Sequence, residues 1–344
     1  MSKARRSKVN VVYFKAGKKY TADEKKKSME RIAKDMSSFS YTGNASGTAD
    51  SVEIQLTNRD GKWNGAYFPK KKDKLRATLY TYYWDKESQK KKMTCGLFLI
   101  DSISFTGMNL LCTIGATSMP EYSSFRVTDR RKTWKKAKLK EIANTIAKRY
   151  HMKFLFDGGD TYVGTQKQDS QTDCDFLTNL CESYGYGIKM YSGRLVIYSK
   201  EKYEKKEPVG TIYKRQCSEQ FSWETNLCGT YTGAKLKYTD DKKKNIVIKV
   251  GKGNRYLTVN DNVDSVAQGK KIALARVNTE NEKAVTLTVG MKGMLKYSET
   301  DTVKLLGAGK LNGKYFIDSI TFSKDDTGLH TTMTMHKVQR RITK

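Results

Sequence analysis

The stretch GLFLIDSISF at residues 96–105 returns as GKYFIDSITF at residues 313–322. The two align without gaps, with identical pairs Gly96/Gly313, Ile100/Ile317, Asp101/Asp318, Ser102/Ser319, Ile103/Ile320 and Phe105/Phe322. Phe98/Tyr315 and Ser104/Thr321 are near-equivalents. Each run is apolar enough for a strand in a core. Its neighbours return in the same order. Upstream, Asp73-Lys74-Leu75 matches Asp301-Thr302-Val303, and Val52–Leu56 matches Val285–Val289. Downstream, Leu110–Ile114 matches Thr332–His336. Four strands repeated in order read as a duplicated β module. Two such modules in one chain can take equivalent places in a ring. A trimer then presents six similar units, which mates a three-fold assembly to a six-fold one.

The segments around these strands are mostly β-like. Val9–Phe14 and Leu75–Trp84 are strand runs, and Ser38–Asp50 is rich in turn formers and reads as a loop. Lys86–Lys92 reads as a charged hairpin tip. Between the modules the pattern changes. Leu139, Ile142, Ala143, Ile146, Ala147 and Tyr150 fall on one face of a helix spanning residues 135–150. Phe154–Phe156 is a short strand, and Asp173 or Asp175 can cap a second helix carrying Phe176, Leu177 and Leu180. Ile188–Tyr191 and Leu195–Tyr198 flank Ser192-Gly193 as a hairpin. Later, Leu236–Tyr238 and Ile246–Val250 flank Lys242–Lys244, and a helix is expected over residues 265–282. The reading is mainly β with an α/β insertion. Residues 1–130 form the first module, 131–205 the α/β insertion domain, and 206–344 the second module with an added hairpin and helix.

The 344 residues carry 65 Lys and Arg against 36 Asp and Glu, a net charge of +29. That charge admits a nucleic-acid reading. The lysines, however, lie in short dispersed runs, and no nucleic-acid-binding motif stands near them. Solvated loops or an acidic protein partner fit the spread better. The N-terminus is basic but is followed by no apolar run, so no secretion signal is expected. Cys95, Cys112, Cys174, Cys181, Cys217 and Cys228 include no Cys-x-x-Cys, and are expected as reduced thiols.

Catalytic patterns fail on inspection. There is no Gly-x-Ser-x-Gly. Gly307-Ala308-Gly309-Lys310 lacks the phosphate loop's earlier Gly, where Lys304 stands, and its following Ser or Thr, where Leu311 stands. Gly251-Lys252-Gly253 lacks the third Gly of a dinucleotide fingerprint. Asp157, Asp160, Asp169, Asp173 and Asp175 are dense but lack calcium-loop spacing. His330 and His336 share a strand face without a third ligand. Asp101 and Asp318 sit inside apolar runs in both copies, which favours a turn or an interstrand hydrogen bond over catalysis. No enzyme activity, cofactor or metal is expected. One loop is a candidate interface: Asp60, Trp63, Tyr67, Phe68 and Pro69 place three aromatic rings between strands, and these either fold onto their own barrel or meet a neighbouring ring or tube.

Residues 40–200 carry a family resemblance. Tyr41, Asn44, Gly47, Ala49, Asp50, Leu56, Asp60, Gly61, Trp63, Pro69 and Asp73 follow the N-terminal signature of the phage late control protein D family. Cys95-Gly96 with Phe98, Ile100 and Asp101 resembles its next strand. Thr133-Trp134 with Leu139 and Ile142, then Gln171, Asp173, Phe176, Leu177, Leu180, Tyr184 and Gly185, resemble its two helix entries. A weaker echo lies at residues 313–338. The resemblance implies a baseplate hub of a contractile tail, similar to the hub half of type VI secretion spike proteins. It implies a homotrimer whose tube-like β-barrel modules form a pseudo-six-fold ring. That ring would join the hexameric tail tube protein to the trimeric central spike protein, beside baseplate wedge proteins and the tape measure protein. The location implied is the tail baseplate of a virion or headless bacteriocin, assembled in the host bacterial cytoplasm. The competing expectations are a nucleic-acid-binding protein and a hub with cell-wall hydrolase activity.

Overall fold

The computed structural model describes residues 4–84, 89–108, 110–118, 124–227, 229–239, 245–261, 263–293 and 296–344. The first module holds β1 (Arg6–Phe14), α1 (Ala22–Asp35), β2 (Met36–Asn44), β3 (Ser51–Leu56), β4 (Lys74–Tyr82), β5 (Lys90–Thr106) and β6 (Leu111–Thr117). The insertion holds α2 (Ser124–Val127), β7 (Asp129–Lys138), α3 (Leu139–Arg149), β8 (Lys153–Asp157), β9 (Tyr162–Thr172), α4 (Asp173–Ser183), β10 (Tyr186–Tyr191), β11 (Arg194–Ser199) and α5 (Lys200–Lys205). The last part holds β12 (Gly210–Tyr213), β13 (Gln220–Thr225), β14 (Gly233–Thr239), β15 (Asn245–Gly251), β16 (Tyr256–Val259), α6 (Val266–Glu282), β17 (Val285–Lys292), β18 (Thr302–Leu306), β19 (Gly313–Lys324) and β20 (Leu329–Lys337).

The fold is mainly β with an α/β insertion, and the β module is present twice. In the first copy the strand order is β1-β4-β5-β6-β3-β2. In the second it is β12-β18-β19-β20-β17-β13. Every neighbouring pair is antiparallel in both copies except β12 with β18, which is parallel where β1 with β4 is antiparallel.

The copies agree down to their irregularities. The β5–β6 register skips Asp101, and the β19–β20 register skips Asp318. Both aspartates are the extra residue of a β-bulge, which explains a polar residue amid apolar ones. Ile100 N–H donates to the Asp73 carbonyl at 2.8 Å, and Ile317 N–H to the Asp301 carbonyl at 2.9 Å. The residues just before those aspartates, Lys72 and Thr300, share a left-handed backbone with φ of 72° and 73°.

Tracing partners corrects two alignments made from the sequence. The row Ile100–Ala116–Val52–Tyr41 in one copy is Ile317–Met335–Leu287–Trp223 in the other. Val52 therefore corresponds to Leu287 rather than Val285, a slip of two that keeps the buried face. Ile114 corresponds to Met333 rather than His336, a slip of three that reverses it. The short stretch 110–114 has too few distinctive residues to fix its own register. The Asp73/Asp301 and 96–105/313–322 matches hold.

Other local readings change as well. Residues 38–44 are strand, not loop: Phe39, Tyr41 and Gly43 point inward between Ser and Thr. Lys135–Lys138 end β7 instead of opening α3. The cap of α4 is Thr172, whose side chain accepts from the Asp175 N–H. Lys90–Lys92 lie within β5, opposite Tyr80–Tyr82. Residues 86–88 of the proposed Lys86–Lys92 tip, the Lys242–Lys244 turn and Cys228 fall outside the described residues. The helix over 266–282 and the hairpin turning at Ser192-Gly193, with φ of 48° and 75°, are as expected.

One continuous core fills both modules, with residues such as Leu56, Leu79 and Ile114 beside Leu287, Ile317 and Met333. The insertion has its own core around Leu139, Ile146, Leu177 and Ile197. β14, β15, β16 and α6 enclose a third around Leu236, Ala273 and Val277. Among the described cysteines Cys95, Cys112, Cys174, Cys181 and Cys217 are free thiols.

Candidate assembly interface: a closed seam and two open edges

The two modules are joined by a seam. β2 of the first pairs antiparallel with β19 of the second, from Ser319↔Asn44 to Lys324↔Phe39. Alternation places Phe39 and Tyr41 on the same buried face as Ile320 and Phe322, all at most 4% exposed. The Tyr41 and Phe322 rings, directly opposite, stack with centroids 6.4 Å apart and planes 7° off parallel. On the other face Thr42 and Thr321 share a hydrogen bond of 3.0 Å. A cross-strand aromatic pair with a hydroxyl pair behind it is a favourable sheet contact, worth about 1 kcal/mol beyond burial.

Two ion-pair groups hold the insertion against the modules, the first of them across this seam. Lys189 on β10 donates to Asp50 at 2.6 Å and to Glu299 at 2.8 Å, so one ammonium ties both modules. Burial raises the Asp50 carboxyl above its usual range, against the lowering effect of Lys189. The second group centres on His336 of β20. Its Nδ1 lies 2.8 Å from Asp318, and its Nε2 is 3.6 Å from Glu204 on α5, beyond hydrogen-bond length. Arg341 joins Glu204, and also bonds Glu282 of α6 at 3.0 Å. Burial opposes the His336 charge, but Asp318, Glu204 and Glu282 outweigh it and raise its pKa above the ordinary value.

Each module also has an edge that its twin does not. On β19 the stretch 319–324 is flanked by β20 and β2. Among the described residues, the corresponding stretch of β5, residues 102–106, has β6 on one side only, because β4 pairs with β5 no further than Leu99. Likewise β2 lies between β3 and β19, while among the described residues its counterpart β13 has β17 alone and ends the sheet. Burial follows pairing. Ile320 and Phe322 are sealed, but Ile103 and Phe105 are only half-buried. Phe221 and Trp223 on β13 are half-buried too, where Phe39 and Tyr41 are closed off. Exposed apolar side chains cluster near both edges: Phe68 and Met108 beside β5, and Leu227 after β13, are 52%, 102% and 73% exposed.

The loop singled out from the sequence reaches one of these edges. Trp63 is buried, its Nε1 donating to Asp35 at 2.8 Å, and Pro69 is buried. Tyr67 is half-buried against Trp63, with the Arg31 guanidinium 3.9 Å from its ring centroid. Asp60 is exposed and pairs with Lys62. Phe68 is exposed, and its ring stacks on Phe105 at 5.7 Å, at the open side of β5. The loop thus presents Phe68 and Asp60 to solvent and keeps Trp63 for its own module. The seam and edge strands β2 and β13 were missed from sequence. The inward alternation of Phe39 and Tyr41, and of Phe221 and Trp223, was the available signal.

The aspartates of the insertion are spread over separate contacts. Asp173, fully buried, accepts from Tyr150 at 2.7 Å and Gln168 at 2.9 Å, and pairs with Arg130 at 3.1 Å and with Arg149. Asp157 pairs with Lys202, and Asp169 with Arg131. Among the described residues no group of His, Cys, Asp and Glu is arranged to hold a metal ion.

Solved structures of similar fold include tail proteins. A tail protein from Neisseria meningitidis matches with a TM-score of 0.68 and 15% identity, over 96% of this chain and 97% of that one. This chain has the fold of a phage tail protein. A prophage MuSo2 tail protein of 43 kDa from Shewanella oneidensis matches at 0.66 and 14% identity, over 96% and 98%. A type VI secretion system component from E. coli, described as structurally similar to T4 bacteriophage tail proteins, matches at 0.57 and 10% identity, over 90% and 75%. No protein-family model and no curated protein matches the chain.

Proposed function

We propose that this chain is a baseplate hub: a homotrimer that presents its two modules as a pseudo-six-fold ring between a hexameric tail tube and a trimeric spike. The observation that carries the reading is the repeat of one six-strand order, joined head-to-tail through β2 and β19. A head-to-tail contact repeated around an axis closes into a ring when the rotation per step divides the circle. The shared fold of phage tail proteins and a type VI secretion component supports a structural role in a tail. The partners on this reading are the tube protein ring, the central spike protein, baseplate wedge proteins and the tape measure protein, with assembly in the host bacterial cytoplasm. A structural role asks for no catalytic centre. Native mass spectrometry of the hub isolated with its spike tests the stoichiometry. The expected copy number of this chain is a multiple of three; a dimer, tetramer or other number contradicts the reading.

A further inference from the structure

The seam inside the chain is a template for a contact between chains. β13 corresponds to β2, since Trp223 pairs with Leu287 where Tyr41 pairs with Val52. Residues 102–106 of β5 correspond to residues 319–323 of β19. The strand pair β2–β19 thus has a missing twin, β13–β5, whose two halves are the open edges of one chain. β13 ends the sheet path on the second module's side, and the open stretch of β5 lies in the first module, where the strand runs on beyond the reach of β4. A single chain uses them only by meeting further copies.

We infer that β13 of one copy adds antiparallel to β5 of the next, in the register of the internal seam. Carrying that register over gives Ser102↔Asn226, Ile103↔Thr225, Ser104↔Glu224, Phe105↔Trp223 and Thr106↔Ser222. This rests on the hub reading and names the surface by which copies meet.

Five features of the edges fit this pairing. The Phe105 and Trp223 rings fall opposite each other, where Phe322 and Tyr41 stack in the seam. Ser104 faces Glu224, so a hydroxyl donating to a carboxylate replaces the Thr42–Thr321 bond. The half-buried faces match: Ile103 and Phe105 on one edge, Phe221 and Trp223 on the other, already pack against the common core. Among the described residues both edges lack a strand on their outer side, and an added strand satisfies the backbone groups there. Phe68 and Met108 flank the β5 edge and Leu227 follows β13, so each edge has exposed apolar side chains that the contact would cover.

The test is disulfide trapping of the full chain carrying Ser104→Cys and Glu224→Cys. Residues directly opposite in an antiparallel pair have Cα atoms about 4.5–5.5 Å apart, within disulfide reach. After mild oxidation, the expected product is a covalent species at three times the 39.2 kDa chain, absent from each single-cysteine variant. Those single variants control for the native thiols. A native mass showing trimers without the 104–224 crosslink overturns the register and leaves the hub reading standing. A crosslinked ladder running past three upholds the strand pairing and sinks the closed trimer. A chain that stays monomeric and uncrosslinked overturns the inference that these edges complement each other.

Discussion

His336 and Lys189 show how the structure uses charge at single positions. Each is a buried or nearly buried cation shared by carboxylates from separate parts of the chain. Neither partnership was legible in the sequence, because Lys189 meets Asp50 across 139 positions. His336 has a pH consequence. Its folded pKa lies above the ordinary 6.5, raised by Asp318, Glu204 and Glu282 against the opposing effect of burial. A group raised on folding contributes stability that is full below its unfolded pKa and fades as pH climbs through the folded one. The stability difference between wild type and His336→Gln, from urea titrations, is therefore expected to shrink steadily above about pH 6.5. A difference that stays constant from pH 6 to 9 would show that His336 is not held charged. At the same scale, Trp63 shows what composition leaves open. The loop 60–69 is visibly aromatic, but only the partner Asp35 on α1 decides that Trp63 turns inward and Phe68 outward.

Elements were legible where side-chain alternation was strong and apolar. β5 and β19 announced themselves, as did α6 and the hairpin at Ser192-Gly193. β2 did not, because its Ser, Thr and Gly residues carry turn propensity and its inward Phe39 and Tyr41 are few. α1 was missed despite a capping box formed by Thr21 and Glu24, a signal readable in the sequence. The repeat was legible through its bulge: Asp101 and Asp318 are the extra residues at one kink in both copies. The turn leading into β4 and β18 is conserved in shape between the copies, with Lys72 and Thr300 at nearly equal positive φ. A β-branched side chain is strained there and glycine is not. Thr300→Gly is expected to raise stability by up to about 1 kcal/mol, where the same change at a strand position costs a similar amount. Thermal unfolding checks this. A drop in stability on Thr300→Gly would mean that the turn is held by the threonine side chain and not by its backbone shape.

At the scale of the whole molecule, duplication converts one chain into two equivalent building blocks. The internal seam shows that the blocks fit head-to-tail, and the free edges of β5 and β13 offer the same fit outward. The net charge of +29 is carried by a molecule whose fold is shared with tail proteins, so charge alone is a poor guide to its role. The third core, around α6 and β14–β16, is an addition to the second module with no twin in the first, and no sequence motif marks what it does. The central claim is that both modules occupy equivalent stations around one axis. Electron cryomicroscopy of the assembled hub tests it most directly. The account predicts three chains and six module densities in one ring, the two kinds alternating, with a continuous sheet across every junction. A ring built from one kind of module, with the other displaced from it, would contradict the account.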